Sequence, residues 1–253
     1  MTVSSFALYL ANRIQEAQQI SLNQLSFKTG RSVATIRRTI HSLNEYLKPS
    51  LYFIVTESKI INQMSYNEFV NFIQKLTITD FSTTWRERLE LLLCITIVKN
   101  EANLTKLYEL LGISQSTKKK DRPIFLEELE KEHLELLSLR GRGVSIIGDE
   151  LTLRVKAAQL LSQIIEIDKN NQIVARQANN PIQQLSYQYA KEIFVENEKK
   201  GSLTDLLNFH NLSFNYTSMK FLYAYYFISL CRIKNDFVIV ENYSSPVKIR
   251  TYA

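Results

Sequence analysis

Residues 22–47 read LNQLSFKTGRSVATIRRTIHSLNEYL, and this stretch sets the fold class. Leu22, Leu25 and Phe27 form a short apolar helical patch, Thr29-Gly30 makes a turn, and Val33, Ile36, Ile40, Leu43 and Leu47 then recur at helical spacing. Ser32 stands where its hydroxyl can accept an orphan backbone N–H at the start of the second helix. Pro49 follows that helix closely and helps to stop it. Two β-prone runs come next, residues 51–55 and Ile60-Ile61, joined by Glu57-Ser58-Lys59, and they predict a small hairpin.

Working outward, four blocks emerge: 1–62, 63–100, 101–158 and 159–253. The second block predicts two helices, over 66–76 and 85–98, the latter carrying WRERLELLLCITIV with Thr83 or Thr84 as its cap. The third block repeats the order of the first. Leu104, Leu107, Leu110 and Leu111 form a short helix, and Gly112 turns the chain. Ser114 or Ser116 starts a further helix, along which Leu126, Leu129, Leu134 and Leu136 carry the apolar spacing. Pro123 either kinks this helix or separates it from a helix over 125–132. SLRGRGVSIIGDE then reads as a tight hairpin, with Gly141 and Gly143 in the turn. The last block predicts helices over 160–167, 182–197, 203–209 and 218–234, turns at 168–171 and 179–181, and a β-prone or irregular tail from Phe237.

Composition narrows the function classes. Only six Gly and four Pro occur in 253 residues, which favours long helices over many-stranded sheets. The net charge is +6, and residues 1–60 hold seven Lys or Arg against three acids, so most of the surplus lies in the first quarter. Cys94 and Cys231 each sit in an apolar run and read as buried free thiols. The N-terminus lacks the pattern of a signal peptide, and the strongly apolar stretch 221–233 is too short to span a bilayer, so a cytoplasmic protein is expected. No dinucleotide, P-loop, zincin or serine-hydrolase motif appears, and the three histidines and two cysteines lack metal-ligand spacing. The expectation is a non-enzyme without cofactor or metal.

A helix followed by a hairpin can bind duplex DNA because a helix is narrow enough to enter the major groove. In the first unit Arg31, Ser32, Thr35, Arg37, Arg38 and His41 fall largely opposite the apolar stripe, with Lys28 on the preceding helix and Lys59 on the hairpin. In the second unit Gln115, Ser116, Thr117, Lys118, Lys119 and Lys120 open the helix, and Arg142 lies in the hairpin turn. Long cationic side chains suit phosphates, and the arginine fork also suits guanine.

LYELLGISQSTKKKD, then an acidic-apolar helix, then LRGRGVSIIGDELTLR, resembles the second helix-turn-helix of the Mga-like and BglG-type regulators that carry PTS-regulation domains. ISLNQLSFKTGRSVATIRRTIHSLNEYL is similar to the first helix-turn-helix of that family, and LSFNYTSMKFLYAYYFISLCRIKND to a helix of its regulatory domain. The resemblance implies a mainly α protein with two N-terminal winged helix-turn-helix units and a helical regulatory and dimerisation domain. It implies a promoter-binding activator, a homodimer, and PTS phosphotransfer proteins as partners. The family continues with a second regulatory domain and a transport-like module, so a chain ending at Ala253 is read as a short member or a fragment. Tyr225 stands where such domains often place the phosphorylated histidine, which leaves His210 as the candidate acceptor in the last block. The alternative is an interaction adaptor or anti-activator that keeps the fold without productive DNA binding.

Overall fold

The computed structural model describes residues 2–197, 203, 207, 209–210 and 212–239, without the side chains of 196 and 197. The described chain is mainly helical. The tail beyond 239 and most of the helix expected over 203–209 lie outside the described residues.

The chain opens with β1 (Val3–Ser4) and α1 (Ser5–Ala17), and α1 buries Ala7, Leu8, Leu10, Ala11 and Ile14. After β2 (Gln19–Ser21) come α2 (Leu22–Thr29) and α3 (Val33–Asn44), followed by β3 (Ile54–Val55) and β4 (Lys59–Ile61). β4 pairs antiparallel with β3 on one side and β2 on the other, so the expected hairpin is part of a three-stranded sheet. Leu22 and Leu25 of α2 face the core with Ile36, Ile40 and Leu43 of α3. Phe27 does not: it is 90% exposed, because two leucines one turn apart already fill the inner face of so short a helix.

α4 (Tyr66–Lys75) follows, and β5 (Phe81–Ser82) returns to pair in parallel with β1, register Val3↔Phe81. α5 (Trp85–Lys99) is capped by Thr84 in a reciprocal box with Glu87. Every residue from Leu91 to Val98 is buried. A helix apolar on all sides belongs inside a protein, and α5 packs against α8 (Glu150–Ile164), α9 (Pro181–Asn197) and α10 (Tyr216–Lys234), and also against α7 (Gln115–Glu130) and β7 (Gly143–Gly148).

α6 (Leu104–Leu110) and α7 precede β6 (Leu134–Leu139), which pairs antiparallel with β7. α7 runs through Pro123 without interruption. It ends sooner than the leucine spacing suggested, with His133 in the left-handed region at φ 56°. Leu134 and Leu136, expected on the helix, are buried strand residues alternating with exposed Glu135 and Leu137, a period of two rather than 3.6. The expected helix over 160–167 is likewise corrected. α8 ends at Ile164, and β8 (Ile165–Ile167) pairs with β9 (Ile173–Ala175) across the turn at 168–171.

Candidate nucleic-acid interface

The same local device positions α3 and α7. Each preceding helix ends near a glycine in the left-handed region (Gly30 and Gly112, both φ 64°), and a serine two residues later caps the next helix. Ser32 Oγ accepts from Thr35 N at 3.2 Å and Ser114 Oγ from Thr117 N at 3.3 Å. Such caps contribute about 1 kcal/mol each. The glycines take a conformation that costs other L-residues about 1–2 kcal/mol.

Asn44 fixes α3 to the chain leading into β3. Its Nδ2 donates to Phe53 O and its Oδ1 accepts from Phe53 N, both at 3.0 Å. Arg37 makes a second tie, its Nη2 donating to Glu57 O at 2.5 Å in the β3–β4 turn. Arg37 is therefore half-buried and helps hold the hairpin. On the side of α3 turned away from the core, Ala34, Arg38 and His41 are exposed, and Arg38 borders a shallow cavity of about 180 Å³ with Thr2, Val3 and Ser42. Lys28 and Arg31 are exposed, and the Arg31 guanidinium lies 5.7 Å from the centre of the Phe6 ring. Thr35 is half-buried, with its hydroxyl 2.9 Å from Ser32 Oγ. Lys59 is half-buried in β4, and its Nζ donates to Gln19 Oε1 at 3.1 Å. Between Glu16 and Glu45 the sequence contains no acidic residue, so α2 and α3 themselves carry charge of one sign.

α7 is held from within by a buried network that the sequence reading missed. Arg88 of α5 donates to both carboxylate oxygens of Asp121, Nε to Oδ2 at 2.6 Å and Nη2 to Oδ1 at 2.8 Å. The Tyr108 hydroxyl of α6 donates to the same Oδ2 at 2.5 Å. With Asp121, Phe125 and Leu129 turned inward, Gln115, Ser116, Lys119, Lys120 and Arg122 are exposed. Arg122, also absent from the expected contacts, lies between α7 and the hairpin, its Nη2 donating to Ser138 Oγ at 3.1 Å. Thr117 and Lys118 are half-buried, and Lys118 Nζ is tied to Thr105 Oγ1 at 2.6 Å. Arg142 is exposed in the β6–β7 turn, 3.5 Å from Glu101. The expected residues thus divide into exposed cations free to meet an anion (Lys28, Arg38, Lys119, Lys120) and others committed wholly or partly to holding the units together (Arg37, Lys59, Lys118).

His210 is exposed, its ring edge-on to Phe209 with centroids 5.0 Å apart. Tyr225 is half-buried on α10, with its ring stacked on Phe221. Among the described residues no group of His, Cys, Asp and Glu is placed to hold a metal ion, and no helix is long and apolar enough to cross a membrane.

Two helices joined by a tight turn, the second presenting cations, define the helix-turn-helix class of regulators. Residues 71–161 match the family model of the Mga helix-turn-helix domain, so that segment is similar to this domain. The match runs from Asn71 of α4 through α5, α6, α7 and the β6–β7 hairpin to Leu161 of α8. The α2–α3 unit lies outside it. No curated protein matches the chain.

Proposed function

We propose that this protein is a sequence-specific transcription regulator, an activator, that binds promoter DNA as a homodimer through two winged helices. In this reading 1–62 and 101–158 are the winged units, 63–100 connects them, and 159–253 is a helical regulatory and dimerisation domain of the PTS-regulation type. The observation that carries the reading is the outward face of α3, where Arg38 and His41 stand exposed in a stretch without any acidic side chain. A helix so presented fits the major groove, with Lys28, Lys119 and Lys120 neutralising phosphates. Exposed Phe209, Leu212, Phe214 and Tyr216 support an apolar contact between two copies near the start of α10. Exposed His210 is accessible to a phosphotransfer protein.

Selection of duplexes from a random pool tests this function. Enrichment of a common motif, bound more tightly than unselected DNA and less tightly as salt rises, is the expected result. A pool that stays random, together with a stable complex between this chain and another protein, favours the adaptor reading instead.

A further inference from the structure

Phe27 is the most exposed large apolar side chain among the described residues, at 90%. It occupies the last turn of α2, with Lys28 beside it and Arg31 just beyond the Gly30 turn, and both cations are exposed. The turn is stitched to the helix, since Ser26 Oγ donates to Arg31 O at 2.6 Å, so Phe27 is held near the N-terminal end of α3. A phenyl ring in water stabilises nothing; its apolar surface contributes only once another surface covers it. Exposed Lys28 and Arg31 flank the ring, and no acidic residue stands between Glu16 and Glu45 in the sequence, so a polyanion suits that surface.

We propose that Phe27 is an apolar contact to duplex DNA, lying on either a deoxyribose or a thymine methyl group at the edge of the groove that α3 occupies. Phenylalanine is suited to both, and a thymine methyl contact makes the residue a determinant of sequence preference. The inference rests on the DNA-binding function proposed above and adds a residue that the cationic pattern does not include.

The test compares the whole chain with Phe27→Ala on a duplex the protein has itself selected from a random pool. Because the ring touches so little of its own protein, the variant keeps the wild-type circular dichroism and melting temperature. Affinity falls about tenfold, the scale of burying one large apolar side chain. The salt dependence keeps its slope because no charge is removed, whereas Lys28→Ala lowers the slope by about one. Replacing thymines by deoxyuridine then separates the two surfaces. Loss in the wild type that is absent in Phe27→Ala identifies the methyl group, and equal behaviour of both proteins identifies the sugar. Unchanged affinity of Phe27→Ala, with Lys28→Ala weakened, overturns the proposal and leaves the DNA-binding function standing. A pool in which no duplex is enriched overturns both.

Discussion

Arg88 of α5 grips Asp121 of α7 through two hydrogen bonds, of 2.6 and 2.8 Å, with both residues buried. The cationic face of α7 is thereby aimed from behind, by a pair that never meets the solvent.

Removing one partner leaves a charge buried alone. Asp121→Ala is expected to cost about 3–5 kcal/mol, read from urea unfolding. Glu127→Ala, which removes an exposed partner of Lys131, is expected to cost less than about 1 kcal/mol. Similar costs for the two variants would contradict the role given to Arg88 and Asp121.

Gly143 and Gly30 separate two kinds of glycine requirement. A Cβ on Gly143, at φ +125°, would sit 2.2 Å from Ala102 O, where Ala102 bridges to Val144; a Cβ on Gly30 meets nothing within 4 Å. Gly30→Ala is expected to cost about 1–2 kcal/mol from backbone strain alone. Gly143→Ala adds a backbone collision and is expected to cost more and to detach residue 102 from the hairpin. Amide exchange at Val144, whose N–H donates to Ala102 O at 2.9 Å, reads that detachment.

Glu150 gives the protein an acid-sensitive joint. Arg154 and Arg232 both donate to its carboxylate, at 2.8 and 2.6 Å, and the Arg232 guanidinium lies 3.5 Å from the centre of the Phe237 ring. Burial alone would raise the Glu150 pKa, but the hydrogen bonds from Arg232 and Arg154 outweigh it and hold it below 4.5. A carboxylate depressed in the folded state contributes stability above its unfolded pKa and loses it as pH falls through the folded value. The stability difference between wild type and Glu150→Gln is therefore largest near neutrality and shrinks as pH falls below 4.5. A difference that grows on acidification would contradict the assignment.

Cys94 is buried, and burial pushes its thiol up to about 12. At neutral pH it holds almost no thiolate, the reactive form. Native protein should leave Cys94 unlabelled by a maleimide, with labelling following denaturant unfolding. Rapid labelling of the native state at this position, read by peptide mapping, would show that α5 is not enclosed.

Much of α3 was legible in the sequence because its apolar positions, serine cap and glycine turn all specify the same helix. Its fine division of labour was not: nothing in Arg37-Arg38 tells which arginine binds the hairpin and which faces solvent. Leu134 and Leu136 were misread because, placed after Leu126 and Leu129, they continue a helical spacing, and the helix ends near a histidine rather than a glycine or proline. Phe27 belongs to the apolar patch of α2 by its chemistry, although a short helix holding Leu22 and Leu25 needs no third core residue. The central position of α5 had a signal in residues 91–98, LLLCITIV, where a single Thr96 among apolar side chains leaves no polar face. The pairing of Arg88 with Asp121 had none, since the two stand 33 residues apart and only the fold brings them together.

The most direct test of the central claim concerns Arg38 on the open face of α3. Fluorescence anisotropy with a labelled duplex, over a range of salt concentrations, compares wild type with Arg38→Ala. The account predicts weaker binding by the variant and a salt slope reduced by about one. Superimposable curves for the two proteins would contradict it.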